Sequence, residues 1–140
     1  PTKPMWTSAV NTSKFAYKQL TAATTLTERD SNKTFGLALV GGFTVTLPTL
    51  AAGMKFTFIV EVDPTTAYII ASAEGDNVSM VGAAADGNAV VINAAGFAND
   101  NVNLVANQAK IGDKVMVESC SLGWFATAIV TAGAGVTISG

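Results

Sequence analysis

The feature that most limits how this chain can fold is a period-two alternation of apolar and polar residues in short runs. In the clearest run, Met54, Phe56, Phe58, Val60 and Val62 alternate with residues of which only Ile59 is apolar. Successive side chains of a β-strand point to opposite faces, so this run predicts a strand with one face on a core. No window of about eleven residues has the 3.6-residue periodicity of an amphipathic helix.

Similar runs recur along the chain and predict about ten short strands. Turn-forming pairs such as Asp86-Gly87 and Gly41-Gly42 separate them and supply the positive φ angles of tight turns. Only 49–53 and 82–85 could hold a helical turn. The pattern predicts an all-β fold, an antiparallel sandwich or barrel. Besides the run at 54–62, the predicted strands are 21–26, 34–40, 43–47, 67–72, 89–93, 102–106, 114–118, 123–131 and 136–139.

The N-terminal residues differ from this β body. Residues 1–16 lack periodicity and contain Pro1 and Pro4, so they predict an extended N-terminal arm followed by a single β domain, 17–140. Charge divides the chain in the same way. Residues 1–27 carry +3, from three lysines, whereas residues 28–140 carry five basic and ten acidic groups, a net −5. We therefore expect a basic arm on an acidic body.

The same residues argue against several functions. An acidic body without an Arg/Lys cluster does not suit nucleic acid. The uncharged stretches 34–54 and 119–140 contain several glycines, and the first also contains Pro48, so they predict consecutive short strands rather than membrane-spanning helices. The start, Pro1-Thr2, has no secretory pattern and fits synthesis in a cytoplasm with loss of the initiator methionine.

The side chains that enzymes use most are scarce. There is no histidine, one cysteine (Cys120), and a charged fraction of 13%, about half of the roughly 25% usual in soluble domains. Cys120 has no histidine to activate it, zinc would lack its usual ligands, and no acidic turn has the spacing of a calcium loop. We therefore predict no catalytic residue, no cofactor or metal site, and no enzyme activity.

Small uncharged residues at outward positions favour a role in contacts, because the centres of protein interfaces are poor in charge. Trp124 and Phe125 are adjacent, so as strand neighbours they predict one ring in the core and one at an interface. A sugar-stacking platform is the alternative for this pair.

Two segments resemble parts of tailed-bacteriophage virion proteins. The first is 42–48 (GFTVTLP) with 52–60 (AGMKFTFIV), and the second is 111–118 (IGDKVMVE) followed by Gly123-Trp124-Phe125. The resemblance spans about residues 18–140 and is greatest to small head decoration, or cement, proteins. Similar patterns occur in tail-fibre and tail-spike domains.

The resemblance implies a structural virion protein, made in the host cytoplasm, that binds the outside of a capsid and stabilises it by bridging coat subunits. Its partners would be the major capsid protein and further copies of itself, as a homotrimer. A tail-fibre or tail-spike domain that binds a host receptor or glycan is the alternative. In the arm, aromatic rings would be buried against the shell and lysines would supply charge complementarity. The predicted capsid-contact residues are Lys3, Trp6, Lys14, Phe15, Tyr17 and Lys18.

Overall fold

The computed structural model describes residues 16–75, 77–90 and 97–140. Within these ranges the chain forms a sandwich of two β-sheets, which confirms the predicted all-β fold. The described residues contain no helix long and apolar enough to cross a membrane. Except for Ala16, the predicted arm lies outside them.

Eleven strands are present in the described ranges, and two short 3₁₀ turns, Glu28–Asp30 and Gly133–Gly135, connect some of them. The six-stranded sheet has the order β1-β3-β5-β9-β10-β7, and the five-stranded sheet has the order β11-β8-β6-β4-β2. The strands are β1 (Tyr17–Leu20), β2 (Thr24–Thr25), β3 (Thr34–Leu37), β4 (Thr44–Thr46), β5 (Lys55–Val60), β6 (Tyr68–Ala71), β7 (Val78–Ala84), β8 (Asn101–Leu104), β9 (Lys114–Ser119), β10 (Trp124–Val130) and β11 (Val136–Ser139).

Strand directions within this sandwich are mixed, whereas the sequence pattern predicted antiparallel strands. From β1 to β6 the chain alternates between the sheets, and each strand adds parallel to the one before it in its own sheet. Strand β7 is also parallel to β10, whereas the β5–β9, β9–β10, β6–β8 and β8–β11 pairs are antiparallel. Parallel neighbours need a long crossover, which the strand in the opposite sheet supplies here. Period-two alternation reports a buried face and carries no information about direction.

Two strand predictions need further correction. Residues 78–84 form β7 and were not predicted as a strand, and 82–84 are extended although a helical turn was allowed at 82–85. The predicted strand 21–26 is reduced to Thr24–Thr25. Most of the predicted strand 89–93 lies outside the described residues.

The core lies between the sheets, and the predicted strand faces are correct. Phe56, Phe58 and Val60 are fully buried on β5. Phe35 stacks on Phe58 with ring centroids 5.6 Å apart, and Phe56 lies 5.9 Å from Trp124. The facing sheet supplies Val45, Tyr68, Ile70, Val102, Leu104 and Val136, all buried.

Two polar residues, one within the segment 111–118 and one just after it, fasten the ends of β9. Asp113 is buried, and its carboxylate accepts hydrogen bonds from the Lys110 N–H, the Thr131 N–H and the Thr131 hydroxyl at 2.8–2.9 Å. At the other end, the buried Ser119 hydroxyl accepts a hydrogen bond from the Met54 N–H and donates one to the Ala51 carbonyl. These residues stabilise the fold, as expected for turn and core positions.

Candidate interaction surface

The structure describes two of the six predicted capsid-contact residues. Lys3, Trp6, Lys14 and Phe15 lie outside the described residues. Tyr17 and Lys18 belong to β1, the outermost described strand of the six-stranded sheet, and both are exposed. The base of the predicted arm is therefore attached to this sheet.

Tyr17 lies on the outer face of the sheet and is 48% exposed. Its hydroxyl donates a 2.5 Å hydrogen bond to Glu61, and this bond, with burial and the negative charge of Glu61, raises the pKa of Tyr17. The two side chains cover Gly36, where a Cβ atom would overlap both of them. Tyr17 thus joins β1 to the end of β5 and remains about half exposed.

Lys18 has the opposite orientation. It is level with Phe35 on the core-facing side of β1, yet it is exposed because β1 is outermost among the described strands. It forms no ion pair within the described part of the chain. A lysine at this position disfavours further strand pairing and leaves a cation available to an acidic partner.

An apolar patch covers the outer face of the six-stranded sheet on β7 and β10. Phe125 and Ile129 project from β10 and are 41% and 57% exposed, and Val81 on β7 is 43% exposed. The strand register places Val81 level with Thr127, in the row between Phe125 and Ile129. We call Val81, Phe125 and Ile129 the apolar patch; contiguous exposed apolar surface of this kind marks interaction sites.

The neighbouring strand β9 adds a central methionine and two charges. Met116, level with Thr127, is half-buried, Lys114 is level with Ile129, and Glu118 is level with Phe125. Glu118 also forms an exposed ion pair with Lys55 at 3.7 Å. Lys114 has no ion-pair partner among the residues that the structure describes.

The outer face of the five-stranded sheet differs sharply. Its outward positions carry no charge, and the register makes threonine, asparagine and serine the main residues there. Asn103 Nδ2 donates to Ser139 Oγ at 2.9 Å and approaches Thr137 Oγ1 at 3.4 Å. This face therefore satisfies part of its hydrogen-bonding capacity internally.

A shallow groove of about 340 Å³ lies between the segments 25–28 and 46–49, with Ala73, and Glu28 is the one ionisable residue that lines it. In the described ranges no group of three acidic or cysteine side chains could hold a metal ion. Cys120 is half-buried, and its thiol donates to the Gly123 carbonyl at 3.4 Å.

Two acidic turns have shifted pKa values for structural reasons. Burial opposes ionisation of Asp30, but hydrogen bonds from the Thr27 N–H and the Lys33 ammonium outweigh it and lower the pKa of Asp30. Donors from Asn88 and the Gly133 N–H lower the pKa of Asp86. Asp30 fastens its own turn, whereas Asp86 binds both its own turn and the distant Gly133 N–H.

Sequence reasoning missed the apolar patch, although a signal for it existed. Six of the seven residues of β10 (WFATAIV) are apolar, so the strand is apolar on both faces and not on the core side alone. Near-continuous apolar runs indicate strands covered on both sides. Trp124 lies in the core, as predicted for one ring of the pair, and Phe125 points outward, while its place at an interface stays a prediction.

Comparisons with protein-family models, with curated proteins and with solved structures find no match to this chain.

Proposed function

We propose that this protein is a structural virion protein that binds the outside of a bacteriophage capsid and stabilises it by bridging coat subunits. The observation that carries the proposal is the apolar patch on a small, charge-poor sandwich, since such a surface suits a permanent protein contact. The two segments that resemble phage virion proteins are the reason for proposing a phage capsid as the assembly. Threefold association of copies on the shell belongs to the same proposal.

The arm and the apolar patch act together in this proposal. Tyr17 and Lys18, at the base of the arm, belong to the same sheet as the patch, four strand steps from β10. At about 4.8 Å a step, Tyr17 and the patch lie roughly 19 Å apart across the outer face, whereas Lys18 projects from the opposite side of β1 at the edge of the sheet. A partner that covers the outer face and extends around the β1 edge could thus contact Tyr17, Lys18 and the patch without covering the five-stranded sheet.

The alternative, a tail-fibre or tail-spike domain that binds a glycan, needs exposed aromatic rings on loops. In the described residues the exposed aromatic side chains are Tyr17 and Phe125, and both lie on strands. This placement favours attachment by a flat sheet face over capture of a sugar by loops.

The test uses heads of the phage that encodes the chain, prepared without the protein, and measures co-sedimentation of the added full-length chain. Reversing the three arm charges, Lys3→Glu with Lys14→Glu and Lys18→Glu, is expected to lower bound copies at least tenfold, because the arm would lose its charge complementarity. The matched control reverses Arg29, Lys33 and Lys110 and has the same net charge. Equal binding of both variants would contradict the role of the arm.

A second pair of variants tests the apolar patch. Ile129→Asn lies in the patch, whereas Ile69→Asn makes the same change on the outer face of the five-stranded sheet. We expect only Ile129→Asn to reduce binding to heads. In a Trp6→Phe background the fully buried Trp124 reports whether either variant remains folded. Binding to tails alone, or to neither structure, would overturn the proposed function.

A further inference from the structure

We propose that two copies of this protein associate face to face through the outer surfaces of their six-stranded sheets, about a twofold axis that crosses the strands. The proposal concerns the free protein and does not rest on a role in a virion. Its basis is the arrangement of three outward residues on β9, in which Lys114 and Glu118 flank Met116.

Charge selects the orientation of the second copy. Lys114 and Glu118 are four residues apart on one strand, which is about 13 Å, and Met116 lies midway. If the axis passes through the row of Met116 across the strands, each Lys114 faces Glu118 of the second copy. An axis parallel to the strands would instead bring lysine against lysine and glutamate against glutamate, which is repulsive.

The same axis pairs the apolar residues. The axis lies along the row of Met116, Thr127 and Val81, so each of these residues faces the same residue of the second copy. Phe125 and Ile129 lie on either side of that row, so Phe125 meets Ile129 of the second copy. The result has an apolar centre with charges beside it, and each residue is used twice, as in an isologous interface.

The surroundings of Lys114 independently support a second copy of the chain as the partner. Lys114 is half-buried between isoleucines, level with Ile59 on β5 and Ile129 on β10, and has no ion-pair partner in the described chain. Face-to-face pairing would supply its missing carboxylate. Glu118 has only the loose, exposed contact with Lys55 at 3.7 Å and is available for a second cation.

The area of the contact limits its strength. Strands β5, β9, β10 and β7 with three outward rows give a footprint of about 400 Å² per copy from ordinary strand spacings. Stable interfaces bury roughly 800 Å² per partner. We therefore expect weak association that depends on concentration, in which mass rises from 14.3 kDa towards twice that value.

Sedimentation equilibrium of the full chain, from about 10 µM to 1 mM, tests the pairing, since weak interfaces have dissociation constants in this range. Lys114→Glu alone and Glu118→Lys alone are each expected to weaken association at least tenfold, because like charges would then face each other. The double variant exchanges both charges and is expected to recover association to within about threefold of the parent.

Arg29→Glu and Glu28→Lys are the matched controls, since they make the same charge changes on exposed residues away from this face, and both should associate like the parent. Circular dichroism checks that every variant is folded. Mass that stays at one copy at all concentrations, mass that rises to three copies, or a double variant as weak as the single ones would overturn the twofold pairing.

Discussion

The two outer faces of the sandwich are built on the same period-two pattern but differ in the side chains that they expose to water. On the six-stranded sheet, Phe125, Ile129 and Val81 remain exposed beside Lys114, which has no ion-pair partner in the described ranges. On the five-stranded sheet the outward side chains are mainly small and polar and bond to one another, as Asn103 does with Ser139. The first face exposes large apolar side chains, whereas the second exposes small polar side chains that satisfy part of their hydrogen-bonding capacity within the face.

The difference teaches that alternation alone does not distinguish a solvent face from a binding face. In β5 and β10 the core-facing residues alternate correctly, and their burial could be predicted from the sequence. The character of the outer face depends on the residues between them. Thr127 is the only polar outward residue of β10, which is why this strand looks continuously apolar.

The largest loss of stability is expected for a core residue of β5, a strand whose two sides belong to the core and to the outer face of the six-stranded sheet. Phe58→Ala should lower the free energy of unfolding by about 3–5 kcal/mol, because it leaves a cavity beside Phe35. Thr57→Ala, which changes the outer face of the same strand, should cost less than about 1 kcal/mol. Urea unfolding measures both, and equal losses would mean that the faces of β5 are wrongly assigned.

A smaller but substantial loss of stability is expected for a substitution just before β9, next to Lys114. Asp113→Ala removes the acceptor of two backbone N–H groups and the Thr131 hydroxyl, and should cost about 3 kcal/mol. Glu118→Ala, an exposed acid on the same strand, should cost no more than about 1 kcal/mol. A thermal unfolding series that finds the two losses alike would contradict the structural role given to Asp113.

The outer faces themselves should contribute unequally to folding. Asn103→Ala removes cross-strand hydrogen bonds and should destabilise the protein by about 1 kcal/mol. Ile129→Ala shortens a side chain that is already exposed and should change stability by less than about 0.5 kcal/mol. Denaturant midpoints of the free protein compare them, and a greater loss for Ile129 would mean that the patch packs within the chain.

The smallest effect is a loss of stability at acid pH, and it should come from two turns rather than from either outer face. Because folding lowers the pKa of Asp30 and Asp86, their stabilisation is present above the unfolded value of about 3.9 and is lost as pH falls through the folded values. Stability should therefore decline below about pH 4, and Asp30→Asn with Asp86→Asn should flatten that decline. Unfolding curves between pH 3 and 7 measure it, and an unchanged slope would exclude these turns as the cause.

Parts of this fold were beyond sequence reasoning for identifiable physical reasons. The pairing partners of β1 to β6 depend on crossovers between sheets. A buried residue such as Phe35 on β3 does not indicate whether the neighbouring strands run parallel or antiparallel. Strand β7 was missed because Gly82 and the following alanines suit a turn as well as a strand. Of the predicted contact residues, Tyr17 and Lys18 lie on β1 and the other four lie outside the described residues, and the contact role of all six remains a prediction.

The most direct test of the difference between the faces, and of the proposed function, is a cryo-electron microscopy reconstruction of the virions to which the proposal assigns this chain. We expect the sandwich on the outside of the head, with β1 and the outer face of the six-stranded sheet against neighbouring subunits and the five-stranded sheet towards solvent. Density at the tail, no copies in the particle, or contact through the five-stranded sheet would contradict it.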